Sequence, residues 1–243
     1  MLRRLTGRLT VGVLLLLILP LAVLCTGWRW HPGEANAFLL PLFWLTETAS
    51  SPWGAITSVV LTLWFIWRLA LPGRQAVAIV ALLAAAVVGG QAIKSAVKET
   101  VAEPRPYVLW MESQYHIDAR AFYEQGRKAR AKMIAESLGQ ETRVPSWLSG
   151  HWQRETGYSF PSGHTLFTAT WALLGVGLLL PRRRYFSAGV LMAWAASVAG
   201  SRLLLGMHWP IDLIVSTLLG GLLAFSACWV AERKVFTAIR ENK

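Results

Sequence analysis

The sequence predicts an all-α protein, a bundle of six membrane-spanning helices with a helical extracytoplasmic segment between the third and fourth. Three observations predict it. Of the 243 residues 54% are apolar and only 15% are charged, against about a quarter charged in an ordinary soluble domain. Six predominantly apolar runs, 10–27, 53–71, 76–97, 162–180, 185–200 and 211–231, approach the ~20 residues a helix needs to cross the hydrocarbon. The fifth is the shortest. The third observation is that the cations fall unequally among the connections, which orients the spans.

The first run follows Arg3, Arg4 and Arg8, a start that a cleaved signal peptide shares. It outlasts a signal core, and neither the AVLC around Cys25 nor the TGW after it supplies a small-residue cleavage site, so it is read as a span. The LPGR turn joins spans two and three, and the PRRR turn joins spans four and five. Twelve of the 24 Lys and Arg lie in short segments on one side: Arg3, Arg4, Arg8, Arg68, Arg74, Arg182, Arg183, Arg184, Arg233, Lys234, Arg240 and Lys243. By the positive-inside rule that side is cytoplasmic. Both termini are then inside, while 28–52, 98–161 and 201–210 are outside. The net charge of +11 is thus accounted for by the membrane, and no nucleic-acid partner is implied.

Cys25 and Cys228 fall near opposite faces, beyond disulfide reach, and are expected to be free thiols. Trp28, Trp30, Trp53, Trp67, Trp110, Trp209 and Trp229 lie near span ends and are read as interface anchors. The only sizeable polar region is 107–160. Within it, 118–139 is rich in helix formers, with Ala121, Phe122, Met133 and Ile134 on an apolar stripe, and predicts one or two amphipathic helices over the outer surface. These are either a solvated insertion or helices lying at the lipid interface. No repeat or linker divides the chain, so residues 1–243 form one domain, with 98–161 as an extracytoplasmic insertion.

The polar residues at the outer span ends form three groups. Lys94, Lys98 and Arg105 follow span three; Ser162, Gly163 and His164 open span four; Arg202, His208 and Asp212 lie between spans five and six. A charge at mid-membrane costs on the order of 3 kcal/mol and is usually paired or functional, and the cost falls near a helix end. Taken singly, each residue has a plain explanation as a snorkelling, capping or interface residue. Together their types are complementary. Lys98, Arg105 and Arg202 can hold a dianion, Ser162 at an N-cap adds a hydroxyl, and Gly163 lets backbone amides approach an oxyanion. Span four points its positive dipole end the same way. Phosphate fits such a site, and two histidines with an aspartate supply a nucleophile, a carboxylate to orient it and a proton donor.

Lys98 with six residues before Arg105-Pro106, then Pro161-Ser162-Gly163-His164, then Ser201-Arg202 with five residues before His208 and three more before Asp212, resembles the three-part signature of the type 2 phosphatidic acid phosphatase superfamily. The match holds at every signature position and extends over about residues 10–235. Six spans and a long outer segment further resemble the bacterial phosphatidylglycerophosphatase B branch. The resemblance implies a lipid phosphatase of the bacterial cytoplasmic membrane with its site on the outer face. It implies that His208 attacks phosphorus, Asp212 fixes the tautomer of His208, and His164 protonates the departing oxygen. Lys98, Arg105, Ser162, Gly163 and Arg202 would bind phosphoryl oxygens.

Pro210 disfavours helical geometry at Trp209. It is expected to open span six, with Asp212 reaching back from the first turn. No metal or other cofactor is implied, because the cations can do the electrostatic work. His31, His116 and His151 are read as loop or interface residues, and Lys94 and Glu103 receive no role. The substrate would be a phosphorylated membrane lipid: phosphatidylglycerol phosphate, phosphatidic acid, its lysolipid, diacylglycerol pyrophosphate or undecaprenyl pyrophosphate. A phosphotransferase using the same phosphohistidine is one rival, and a non-catalytic lipid transporter another, although transporters place their site near the midplane.

Overall fold

The structure, a computed structural model, describes residues 1–33 and 39–237. Arg240 and Lys243, counted above among the cytoplasmic cations, lie outside the described residues. The helices are α1 (Leu2–Thr26), α2 (Leu39–Glu47), α3 (Trp53–Leu69), α4 (Gly73–Val101), α5 (Pro106–Tyr115), α6 (Ala119–Glu124), α7 (Arg127–Ser137), α8 (Ser146–Arg154), α9 (Gly163–Leu178), α10 (Tyr185–Leu204) and α11 (Pro210–Val230). A π-helical turn over Ala231–Phe236 continues the last. No strand occurs among the described residues.

Among the described residues, five helices are long and apolar enough to cross a membrane: α1, α4, α9, α10 and α11. The short one is not the expected fifth run, which forms the 20-residue α10. It is the second, since α3 has 17 residues and ends where Ala70 adopts a left-handed backbone before Pro72.

α9 is the centre of the bundle. It is buried continuously from Thr165 to Leu178 and packs against α11, α10, α4 and α1. Small residues permit the close approach that association in lipid requires: a Cβ on Gly220 of α11 would sit 3.1 Å from the Thr170 amide nitrogen. Outer helices such as α3 instead present Ile56, Val59, Val60 and Leu63 to their surroundings, as lipid-facing surfaces do.

α5 to α8 build a cap over the end where α4 stops and α9 starts. Part of its apolar stripe is used within the protein: Phe122 and Ile134 are fully buried with Tyr107, Leu148 and Trp152, Met133 packs against them, and Leu205 and Met207 join from the α10–α11 connection, whereas Ala121 is exposed. The 118–139 stretch is therefore two helices docked on a protein core, and their buried residues face that core rather than lipid. Trp30 belongs to the same core, 8% exposed and with Nε1 donating to the Leu204 carbonyl at 2.9 Å, which corrects its reading as an interface anchor. Trp53 and Trp67 are exposed. Both cysteines are free, Cys25 exposed and Cys228 buried.

Candidate active site

The SRLLLGMHWPID connection explains how one chain segment delivers three of the candidate residues, Arg202, His208 and Asp212. α10 ends after Leu204, and Gly206 turns the chain with φ 69°, a left-handed backbone that favours glycine. The face of the Trp30 ring lies where a Cβ would stand, 2.7 Å away, so this turn has room for no other residue. The reversal lets the amides of Met207 and His208 donate to the Arg202 carbonyl at 3.0 and 3.2 Å, bringing His208 back beside Arg202. Pro210 then occupies the first turn of α11, with Trp209 extended (φ −85°, ψ 154°). Asp212 reaches back, and its Oδ2 accepts from the Trp209 amide at 3.0 Å. This is the geometry Pro210 was expected to impose.

The same Asp212 oxygen lies 3.0 Å from His208 Nδ1 and also accepts from the Ser159 hydroxyl. Arg105 Nη1 lies 3.4 Å from His208 Nε2. A guanidinium only donates, so Nε2 is the unprotonated nitrogen and Nδ1 carries its proton toward Asp212. Burial pushes the His208 imidazole well below its usual range, and Arg105, Arg202, Lys98 and His164 push the same way. His208 is therefore neutral at neutral pH, with a free lone pair on the nitrogen that faces the cations.

Arg105 precedes α5, which Pro106 opens. Its Nε donates to the Gly157 carbonyl at 2.6 Å and its Nη1 to the Met207 carbonyl at 3.1 Å, so two chain segments fix the guanidinium. Ser162 caps α9, accepting from the Thr165 amide at 3.3 Å and donating to the Thr165 hydroxyl at 3.0 Å. A cavity of about 490 Å³ opens among these groups, lined by Lys94, Lys98, Arg105, Gly163, His164 and His208 with residues of the α2–α3 connection. Arg202 and Asp212 stand behind that lining, and Ser162 beside it. All eight residues singled out in the sequence thus gather at one end of the bundle. Lys94 joins them, packed so closely on Gly163 that a Cβ there would meet its Cδ at 2.8 Å.

Sequence reasoning missed a second group of residues. Glu155, just beyond α8, places Oε2 2.8 Å from Arg202 Nη2 and 3.7 Å from Arg105 Nη2, and Oε1 3.2 Å from His164 Nε2. Burial pushes its carboxyl up, but Arg202, His164, His151 and Arg105 outweigh burial and hold it well below the usual carboxylate range. His151 is fully buried, which overturns its reading as a loop or interface residue. Its Nε2 accepts from Arg202 Nη1 at 2.9 Å, and its Nδ1 lies 3.2 Å from Glu47. Thr46 accepts from the same Arg202 Nη1 at 3.2 Å, and the Ser50 hydroxyl lies 2.9 Å from His164 Nε2. One signal was available: Leu148, His151 and Trp152 share a helix face at i, i+3 and i+4, and both apolar members are buried.

Helices long and apolar enough to cross a membrane, with a cationic cavity at their ends and a histidine held by a carboxylate inside it, make a site suited to a phosphoryl group at a membrane surface. The profile of the PAP2 superfamily matches residues 76–236, and the chain belongs to that superfamily. It is 49% identical over 231 residues to phosphatidylglycerophosphatase B of Escherichia coli K12, covering 95% of this chain and 91% of the relative. The Haemophilus influenzae protein of the same name is 38% identical over 225 residues, 89% of this chain and 92% of the relative. A shorter match, 40% over 73 residues, covers 30% of this chain and 33% of an undecaprenyl-diphosphatase from Sulfolobus acidocaldarius.

Proposed function

We propose that this lipid phosphatase works through a phosphohistidine formed on His208, without a metal. The observation that carries the reading is the state of His208: Nδ1 engaged by Asp212 at 3.0 Å, and Nε2 unprotonated beside Arg105 at 3.4 Å. The Nε2 lone pair attacks phosphorus, the bond to the lipid oxygen breaks, and His164 gives that oxygen a proton. Asp212 stabilises the imidazolium that results. Water then attacks the phosphoryl group, the P–N bond breaks, and His164 takes the proton back from the water. Arg105, Arg202 and Lys98, with the α9 amides at Ser162 and Gly163, neutralise charge on the phosphoryl oxygens throughout. Arg202 and Arg105 must change partner to do so, because Glu155 holds both.

The substrates are membrane lipids with a terminal phosphate. The relatives' names put phosphatidylglycerol phosphate and undecaprenyl pyrophosphate at the head of the panel, followed by phosphatidic acid, its lysolipid and diacylglycerol pyrophosphate. Purified protein should release inorganic phosphate from members of this panel without added alcohol. Phosphoryl transfer that requires an added acceptor would argue for a phosphotransferase instead. Release should survive exhaustive chelation and be inhibited by orthovanadate, which occupies such sites as a pentacoordinate adduct. Loss on chelation that a divalent cation restores would refute the metal-free mechanism.

The protein sits in a bacterial cytoplasmic membrane as a single domain of six spans, with α3 as the second, both termini inside and the cap of 98–161 outside. Support comes from the cations of the LPGR and PRRR turns and of the first helix, all at the end of the bundle opposite the cap. Single cysteines introduced at Ser113 and Arg184, in a background lacking Cys25 and Cys228, test the topology. Both positions are exposed, whereas the neighbouring Ser187 is buried at 1% and a poor reporter. An impermeant thiol reagent should label the first from outside and the second from inside. Labelling of both from one side would overturn six spans.

A further inference from the structure

The Glu155 carboxylate stands at the meeting point of three groups that the mechanism above assigns to the substrate. Its two oxygens reach Arg202 at 2.8 Å, Arg105 at 3.7 Å and His164 at 3.2 Å, as two oxygens of a phosphoryl group would. The backbone beneath it is fixed. Its amide donates to the His151 and Trp152 carbonyls, both at 3.1 Å, and its carbonyl accepts from the Tyr107 hydroxyl at 3.4 Å. The side chain is the part free to move: it is 18% exposed and borders the cavity, whereas its partners on Arg202 and Arg105 are 0% and 4% exposed.

A phosphate dianion that entered without moving Glu155 would bring like charges together where the dielectric is low. The guanidiniums cannot serve both anions in full. If the carboxylate swings away instead, it stays within a cavity lined by Lys94, Lys98 and Arg127, so it is never left as an unpaired buried charge. We infer that Glu155 is a built-in competitor of the phosphoryl group, holding Arg105, Arg202 and His164 between turnovers, yielding to substrate, and returning to expel orthophosphate. The inference rests on the phosphate-site reading above and adds to it a specificity device. Ligands with enough binding energy elsewhere, as a lipid has, displace the carboxylate, and free orthophosphate competes poorly.

The test is direct binding of orthovanadate and of inorganic phosphate to the detergent-solubilised full chain by titration calorimetry. Glu155→Gln removes the competing charge, so the fraction of sites open to an anion rises. Both anions should bind about tenfold or more tighter than to the wild type. If the wild type binds vanadate and the Gln variant binds it equally or more weakly, Glu155 is a clamp that merely holds the guanidiniums, and the inference falls while the phosphatase mechanism stands. If neither protein binds vanadate, the phosphate-site reading itself fails. Should the Gln variant not fold, as judged by its melting transition, Glu155→Asp serves. It keeps the charge but is one methylene too short to span all three partners, so binding should still tighten by a smaller factor. Unchanged or weaker binding to the Asp variant overturns the inference.

Discussion

Replacement of His208 by alanine is expected to lower hydrolysis of every lipid phosphate and pyrophosphate in the panel by on the order of 10⁴ or more, because in the proposed mechanism it removes the atom that bonds to phosphorus. The loss should appear in kcat with either kind of leaving group, since both reactions would begin with the same proposed attack. The fold should survive. Asp212, buried behind His208, keeps the Ser159 hydroxyl and the Trp209 amide as donors to Oδ2, so no carboxylate is stranded without a partner. An unchanged melting transition beside lost activity separates a missing nucleophile from an unfolded protein. Retention of more than about a hundredth of wild-type kcat in a folded variant would show that phosphorus is attacked by water, with His208 as a base or a charge.

His164→Ala should instead separate substrates by their leaving groups. Protonation of a departing oxygen contributes about 10² to 10⁴ in rate, and it matters only when that oxygen leaves poorly. A lipid alkoxide is a poor leaving group, whereas a lipid phosphate leaving from a pyrophosphate is much better. Phosphoryl-enzyme formation should therefore slow by about 10² or more with a lipid monophosphate and far less with a lipid pyrophosphate. Single-turnover rates are needed, because steady-state values also contain phosphohistidine hydrolysis and product release. Equal losses on the two substrates would mean that His164 acts chiefly in binding phosphate, and the acid role would be wrong. The contact of His164 Nε2 with Glu155 at 3.2 Å and with Ser50 at 2.9 Å makes this comparison informative. Both partners must give way before that nitrogen can face a leaving group.

The parts of this protein that could be read from sequence are those that local rules control. Apolar runs marked the helices: all six runs appear as helices in the structure, five of them long and apolar enough to cross a membrane. Pro210 set the local path of the chain, so the back-reach of Asp212 from the first turn of α11 followed from a single proline. Ser162 at the start of an apolar run is an N-cap by the same logic. The residues that escaped notice are held by partners far along the chain. Arg202 meets His151 across 51 positions and Thr46 across 156, and Ser50 meets His164 across 114. Nothing near Thr46, Glu47 or Ser50 marks them as neighbours of a site built between residues 98 and 212. Glu155 was hidden for a further reason. A lone acid after a short polar helix reads as solvated, and only its two guanidinium partners show that it is held as an anion at the cavity. The cap was misjudged in one respect, since its apolar stripe implied a neighbour, lipid or water-covered, and could not show that the neighbour was the α10–α11 turn.

The covalent bond proposed between phosphorus and His208 is tested most directly by rapid-quench trapping. Purified protein mixed with a lipid phosphate labelled in its terminal phosphoryl group, then stopped by denaturant in alkali within one turnover, should retain label on the polypeptide. A phosphoramidate is stable to base and labile to acid, so the label should survive the alkaline quench, leave on acidification, and map to the peptide that contains His208 and not to that containing His164. Label absent at all quench times while phosphate is released, or label that resists acid, would contradict the account.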